Sequence, residues 1–453
     1  MKKILFVLLM MVASTVTMVA DDFEVDGIYY NLLNSGEVTV TNHTDYFFND
    51  EGIVEPVITH YSGDVVIPET VNYGGNTYEV VAIDDEAFLY SNELTSVTLP
   101  STIISIGWRA FLGCTALTSI DIPNSVVSIN DYAFADCKSL TSVSLSTSLT
   151  SLGEFAFADC TSLSGIEFPN TLVSIGVDAF NGCRVLEGID IPASLTSIGL
   201  RAFAQCYNLR NLTVDDDNPV YDSRDNCNAI IETSSNTLFA GCRSTLIPNT
   251  VTAIGGWAFY GCIGLESITI PNSVTSLGMG TFLECRGLTT VHLPNTITYI
   301  PTEAFCYCTS ICQIDIPASV TSIGVRAFNS CFQLDDVYCY MPDLSLVTLY
   351  NYIFDRNPMN VDRRTLHVPA GTLEDYQAEV QFARCFGTIV EMEHSGDANG
   401  DGVVTIKDVT HVIDYLLGGD DGSVNPYHAD VDGDGNVTIK DVTALIDQLL
   451  SGN

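Results

Sequence analysis

The sequence predicts a solenoid of short coils followed by a small all-α module, and three observations carry that prediction. Phenylalanine returns at Phe88, Phe111, Phe134, Phe157, Phe180 and Phe203 with a constant step of 23, then resumes after 56 residues at Phe259, Phe282, Phe305 and Phe328. Each ring sits in the same short template, so the period belongs to a structural unit and not to one residue type. The last 57 residues abandon the template and carry two aspartate-rich loops 33 positions apart.

The template is displayed by one copy: Leu117, Ile120, Ile122, Pro123, Val126 and Ile129, then Ala133, Phe134 and Cys137. Ile120 and Ile122 alternate as in a short strand, and Pro123 ends it because proline cannot donate to a ladder. Val126 and Ile129 form a second apolar edge. Glycine often follows it (Gly107, Gly153, Gly176, Gly199, Gly255, Gly278, Gly324) and suggests a tight turn. The Ala-Phe-x-x-Cys spacing suits one helical turn. No single coil can bury its apolar face alone, so stacked coils must share one core. Departures are local: Ser91 replaces the cysteine, Ser146 the proline and Ile311 the leucine.

Composition sets the boundaries. In 453 residues, 17 Lys+Arg stand against 56 Asp+Glu, a net charge of −39. Phosphate backbones and anionic membranes are held by Lys and Arg, so a nucleic-acid or anionic-membrane binder is excluded. Hydrophobic residues make up 46%, enough for a large core. At the start, Lys2 and Lys3 precede an apolar run over 4–12 and a smaller, more polar stretch ending at Ala20, the order and length of a secretory signal over 1–20. No later run reaches the roughly 18 apolar residues of a transmembrane segment. The expectation is an exported, soluble chain. The first cysteine is Cys114, so no lipid-anchor cysteine follows the signal.

Fifteen cysteines in an exported chain suggest disulfides. Nine of them (Cys114, Cys137, Cys160, Cys183, Cys206, Cys262, Cys285, Cys308, Cys331) recur once per coil, which suits a small buried hydrophobe filling one slot. Cys227 and Cys242, in one inserted segment, are the pair best placed to bridge.

The repeat resembles the leucine-rich repeats of the BspA-like surface-protein family, over residues 78–342. That resemblance implies a leucine-rich-repeat solenoid of short strands plus short helical turns with a 23-residue period. Residues 23–30 with 63–68 resemble the family's strand-rich N-terminal cap, placed at 21–77, and residues 366–376 its closing unit, placed at 343–393. Between 210 and 250 turn residues flank two apolar runs, which reads as a hairpin insertion.

In the tail the first loop offers Asp397, Asn399, Asp401, Val403, Thr405 and Asp408, and the second Asp430, Asp432, Asp434, Asn436, Thr438 and Asp441. These are positions 1, 3, 5, 7, 9 and 12 of a twelve-residue calcium loop, with glycine at position 6. Position 12 is aspartate where a full EF-hand has glutamate. Helical apolar spacing follows each loop, at Val409, Val412, Ile413, Leu416 and Leu417 and again at Val442, Leu445, Ile446, Leu449 and Leu450. Two loop-then-helix units without entering helices resemble a type I dockerin over 397–453. The resemblance implies two calcium ions and a cohesin-like partner; a solvated acidic tail without metal is the alternative. The family's recognition positions fall at Ile406, Lys407, Ile439 and Lys440, apolar-basic where a Ser-Thr pair is common.

Two surface rows are candidates for ligand binding. Alternation turns Asp121, Glu167, Asp190 and Asp315 outward with Thr98, Ser144, Thr213, Thr269, His292 and Tyr338. That polar, acidic row favours a protein or cation over sugars stacked on aromatic faces. Ahead of Ala-Phe lie Trp108, Tyr132, Phe155 and Trp257, which either contact a ligand or are partly buried between coils. The seven histidines are scattered, and no nucleophile, metalloprotease or phosphate-loop motif occurs. The expectation is a non-catalytic, secreted or surface-displayed adhesion protein. Its solenoid would hold a protein or glycan ligand and its tail would attach it. The alternative is a non-catalytic component of a dockerin-assembled polysaccharide-degrading complex.

Overall fold

Two ladders of strands, not one, run through the repeats. The computed structural model describes residues 21–33, 36–48, 54–355, 361–392, 396–400, 403–419, 424–433 and 436–451, so the expected leader lies outside them. The chain divides into two units, one of residues up to 184 with 197–202, the other of 185–196 with everything from 203.

In the first unit the second apolar edge of each coil is itself a strand. Ser105–Ile106, Ser128–Ile129, Ser151–Leu152, Ser174–Ile175 and Ser197–Ile198 pair in parallel. The ladder begins on Asn76–Ile83, which pairs antiparallel with Thr70–Tyr73 and parallel with Glu37–Thr41; Ile28–Leu32 and Phe23–Val25 extend it antiparallel. The ladder expected to be principal is broken. Ser119–Asp121 pairs with Ser142–Ser144, but the coil holding Glu167 has no strand there. In that coil Phe168 replaces the smaller Ile122-type residue, remains half-buried and leans on Phe180 with ring centroids 5.7 Å apart.

The second unit repeats this plan. Ala253–Ile254 pairs with Ser276–Leu277, and Tyr299–Ile300 with Ser322–Ile323 and then Thr348–Leu349. On the other edge Gln313–Ile316, Asp336–Cys339, Thr365–Val368 and Thr388–Glu391 form one parallel sheet. Within 210–250, Ala229–Glu232 and Thr237–Gly241 form an antiparallel hairpin, and its second strand joins the parallel ladder at Ala253–Ile254. Helices α1 (Leu373–Ala378) and α2 (Val380–Ala383) follow. Beside them Arg364 is fully buried, its guanidinium donating to the carbonyls of Leu334, Cys331 and Asp355 and to the Asp355 carboxylate at 2.8 Å. The tail consists of α3 (Ile406–Leu416), α4 (Pro426–Ala429) and α5 (Ile439–Ser451) around Ala398, Val409, Val412, Val424, Ala429, Val442 and Leu445.

The Ala-Phe segment is not a helical turn. The residue before Ala-Phe is left-handed in coil after coil, with φ of 54° at Arg109, 58° at Tyr132, 54° at Phe155 and 53° at Asp178. The residue before the cysteine is left-handed too, as at Gly113, Asp136 and Asp159. A right-handed helix cannot contain such residues. Each non-glycine one costs about 1–3 kcal/mol. The offset is a third ladder: Arg109, Phe111 and Gly113 donate their N–H groups to the carbonyls of Asp131, Ala133 and Ala135 in the next coil, at 2.7–3.0 Å.

Packing inside the coils is equally regular. Phe88, Phe111, Phe134, Phe157 and Phe180 are fully buried and stack with centroids 4.7, 5.0, 5.2 and 5.4 Å apart. Seven of the nine periodic thiols donate to the carbonyl of the phenylalanine 26 residues earlier, as Cys137 does to Phe111 and Cys160 to Phe134, both at 3.2 Å, while Cys262, after the insertion, donates to Gly241. Cys227 and Cys242 are not bridged; their thiols donate to the carbonyls of Ala229 and Asn228. Ser91, in the first thiol slot, instead accepts from the N–H of Tyr61 at 3.0 Å.

The recurring glycines of the template open a turn, Gly107 and Gly199 accepting from the N–H groups of Ala110 and Ala202 at 3.3 Å, but none has positive φ, so the turn itself does not demand glycine. They are points of backbone contact. A Cβ on Gly176 would lie 2.5 Å from Glu154 N and Gly153 C, and one on Gly199 2.3 Å from Val177 N. Gly165, by contrast, has nothing within 4 Å of its hypothetical Cβ. Two predictions follow from this packing. Gly176→Ala should destabilise the protein by roughly 1–3 kcal/mol through overpacking, read as a lower melting temperature, while Gly165→Ala stays within about 0.5 kcal/mol of the parent. Burial pushes the thiols up, Cys114 to about 12, and only Cys312 is exposed. Iodoacetamide on the native protein should therefore label Cys312 first, and the thiols in the phenylalanine ladder only after denaturation, as mass spectrometry would show.

Candidate functional site

The tail loops are built from the helix starts backward. Thr405 caps α3 by accepting from the N–H of Lys407, and Asp408 completes a capping box. Asp408 is fully buried, and its two oxygens accept from the N–H of Asn399 at 3.1 Å and of Thr405 at 2.8 Å. The second loop repeats this with Asp441, which accepts from Asp432 at 3.2 Å and Thr438 at 2.7 Å. Burial alone would raise the Asp441 carboxyl, but these donors hold it below the ordinary aspartate value. The position-12 aspartate therefore ties the start of its loop to the start of its helix. A longer glutamate is not needed for that.

Asp430, Asp432 and Asp441 converge, with one oxygen from each lying within 4.8 Å of the others. Calcium takes oxygens at about 2.3–2.6 Å, so two ligands of one ion lie at most about 5 Å apart. This donor set fits the ion. In the first loop Asp397, Asn399 and Thr405 are half-buried, and Val403 is exposed, 57% accessible. Asn436 and Thr438 sit at the exposed rim and the half-buried shoulder of the second loop. Asp401 and Asp434 lie outside the described residues. Sequence reading stressed glycine at position 6 and missed the glycine at position 4. Gly400 and Gly433 are left-handed, φ 72° and 70°, and turn each loop back toward its helix.

The aromatic row divides. Tyr132 and Phe155 stack at 4.6 Å and pack on the buried Leu89, Leu112, Ala135 and Ala158, so they are partly buried between coils. Trp108 is one residue out of their register. Arg109 occupies the matching position, and its guanidinium lies 3.9 Å from the Trp108 ring centre. Trp257 does hold the register, half-buried in the second unit, and the hypothetical Cβ of Gly280 would be 2.9 Å from its ring.

The outward row also separates by unit. In the first, Asp121 accepts from Ser144 at 2.7 Å, and Glu167 is exposed on a strandless segment. In the second, Asp190 accepts from the Thr213 hydroxyl. Asp315 is opposite Tyr338 in a parallel pair, and Tyr338 is opposite His367, with the Tyr338 and His367 rings stacked at 4.1 Å. Burial raises the Asp315 carboxyl, and Gln313 partly offsets this by donating at 3.4 Å.

Sequence reading missed what surrounds Asp315. A cleft of about 410 Å³ has Thr269, His292, Gln313 and Asp315 on one wall and Asn399, Asn425 and Tyr427 of the tail on the other. The tail is held there by α4: the Tyr427 hydroxyl donates to the Met392 carbonyl at 3.1 Å and accepts from the Ala370 N–H at 3.3 Å. Tyr340 is 3.4 Å from His428 Nε2, and its ring lies 5.3 Å from that of Tyr427. The only signal was a Tyr-His pair between the loops, with no period to mark it.

Comparison with known proteins agrees with this geometry. No curated protein matches the chain. A leucine rich cell surface protein from Faecalibacterium prausnitzii A2-165 is 26% identical, with 82% of this chain and 94% of that one covered, at a TM-score of 0.56. The pneumococcal vaccine antigen PcpA is 15% identical over 83% of this chain and 100% of that one, at a TM-score of 0.55, a likeness of fold alone. Residues 395–450 match the dockerin type I domain. Since residues 81–212 and 232–360 match six copies of the BspA type leucine rich repeat region, the chain belongs to that family and carries a dockerin domain after its repeats.

Proposed function

We propose that this is an exported, non-catalytic binding protein whose repeats present a recognition surface and whose calcium-ordered tail attaches it to a second protein. The observation that carries the reading is a pair of matching apolar stripes. Ile406, Thr410, Ile413 and Leu417 fall at helical spacing along α3 and its C-cap, and Ile439, Thr443, Ile446 and Leu450 repeat them on α5. The stripes turn away from the tail's own core. Ile406 is 68% accessible, Ile439 69%, Leu417 79% and Leu450 80%. Exposure of that much aliphatic surface on so small a module marks a protein-binding face.

Its occupant, on the dockerin match, is a cohesin-type domain. Ile406, Lys407, Ile439 and Lys440 would select a cohesin with an apolar, acidic-rimmed face. The Faecalibacterium relative is a cell surface protein, which supports a place outside the cell, and no helix among the described residues is long and apolar enough to cross a membrane. The leader over 1–20 would direct export, and the strands of 21–77 and the unit at 343–393 would shield the ends of the repeat core. The dockerin match also favours membership of a polysaccharide-degrading assembly as a non-catalytic component. A scaffold recovered with the tail would show which assembly it is.

Calcium would be held in the first loop by Asp397, Asn399, Asp401, Thr405, Asp408 and the Val403 carbonyl, and in the second by Asp430, Asp432, Asp434, Thr438, Asp441 and the Asn436 carbonyl. The ion supplies charge neutralisation that lets each loop close on its helix. Calorimetry on the full chain should find two ions, the tighter in the second loop, which offers four carboxylates against three; Asp430→Ala should remove that tighter event. Equal or reversed affinities in the two loops would count against the assignment. In a calcium-dependent pull-down from bacterial extracts, the parent chain should recover a cohesin-bearing protein. The double variant Ile439→Glu, Leu450→Glu should lose most of it while still binding both ions.

A further inference from the structure

The cleft between the second unit's outward strand row and the tail has a chemistry that neither the repeats nor the tail explains alone. We propose that it is a binding site for a neutral saccharide, a mono- or disaccharide end of a glycan, completed by the tail. This refines the recognition role proposed above and rests on it.

Among the described residues that line the cleft there is no Lys or Arg and a single carboxylate, Asp315. An anionic ligand would find no counter-charge, and a calcium-like cation needs six to eight oxygens with several carboxylates among them. What the walls do offer is neutral hydrogen-bonding capacity: the amides of Asn295, Gln313 and Asn425 donate and accept, His292 adds a ring nitrogen, and Asp315 accepts. Hydroxyl groups, which donate and accept from one atom, fit that mixture. Between the polar groups lie apolar patches at Leu293, Pro317, Val424 and Pro426, together with the rings of Tyr340 and Tyr427. A pyranose has both parts, equatorial hydroxyls around an apolar C–H face. The volume of about 410 Å³ falls within the roughly 300–1,000 Å³ of small-molecule pockets.

Sequence reading argued against sugars because the outward row has only one aromatic. That argument assumed the row acts alone. Tyr427 comes from the tail and Tyr340 from just beyond the Asp336–Cys339 strand, so the aromatic component is supplied from outside the row.

The test uses the calcium-loaded full chain and saturation-transfer NMR with cellobiose, maltose, lactose and N-acetyllactosamine, with glucuronic acid as the charged counterpart. At least one neutral sugar should receive saturation and glucuronic acid should not. Asp315→Ala and Asn425→Ser should each weaken that binding at least tenfold, and serine at 425 keeps the side-chain cap that Asn425 gives α4 by accepting from Tyr427 N. Gln313→Ala, at an exposed position, serves if Asp315→Ala fails to fold. Asp121→Ala, in the first unit, should leave binding unchanged. Binding abolished by Asp121→Ala but indifferent to Asp315→Ala and Asn425→Ser would overturn the site while leaving the repeats as a recognition surface. Absence of binding by every neutral sugar at millimolar concentration would overturn the saccharide assignment, and recovery of a cohesin-bearing protein would still stand as a separate result.

Discussion

The constraint on which the repeats depend is the distance between one coil and the next. Hydrogen-bonded strands lie about 4.7–4.9 Å apart, and everything inside a coil must recur at that pitch. Stacked phenylalanines accept it, because offset rings are favourable with centroids about 4.5–7 Å apart, and the observed 4.7–5.4 Å lies in that range. The thiols accept it by donating to a carbonyl of the preceding coil. Glycines 107, 153, 176, 199, 278 and 324 stand where the backbones touch and no side chain of any size fits. Left-handed residues are tolerated at two positions per coil because the turn they make keeps three N–H groups aimed at the next coil.

The tail solves a different problem with a similar economy of parts. Its helices are short, and isolated helices of 11 and 13 residues are marginal in water. Each has in its first turn an aspartate that accepts N–H groups from its own loop and from the threonine just before the helix, and that stands at position 12 of the ion-binding pattern. Helix initiation thus falls on Asp408 and Asp441, the same two residues that the proposed ion sites would use. The core behind them is made of small aliphatic residues, Val409 and Val412 against Val442 and Leu445, which leaves the opposite stripes free to meet a partner.

The repeat was legible because its physics is periodic. A 23-residue beat in Phe, Ala and Cys can only mean recurring positions in one core, and the slots of Ser91 and Ser146 remain buried even where the residue type changes. What periodicity could not reveal was the reason for a recurring residue. Gly176 looked like a glycine required by its turn and is required by backbone contact; Ala-Phe-x-x-Cys looked like a helical turn and is a pair of left-handed turns. Both errors have one source. Sequence spacing reports which positions are equivalent, whereas backbone conformation there is decided by hydrogen bonds to a neighbouring coil 23 residues away. The dockerin tail was legible for the opposite reason, since its two loop motifs are local in sequence. The cleft was not, because Asp315, Asn399 and Tyr427 are each unremarkable alone and acquire meaning only when the tail is seated.

That seating gives the molecule its division of labour. The α4 side of the tail is occupied, Tyr427 being hydrogen-bonded to Met392 and Ala370 and packed by Tyr340, while the stripes on α3 and α5 stay exposed. A tail joined only by a flexible linker would present its stripes equally well but could not line a cleft. Conversely, a tail that used its stripes to dock on its own repeats would lose its partner. Seating through α4 satisfies both requirements, and it places the first calcium loop, at Asn399 and Gly400, in the wall of that cleft. Under the proposed function, attachment and recognition would share a structural element, and an ion bound in the first loop would also shape the cleft wall at Asn399 and Gly400.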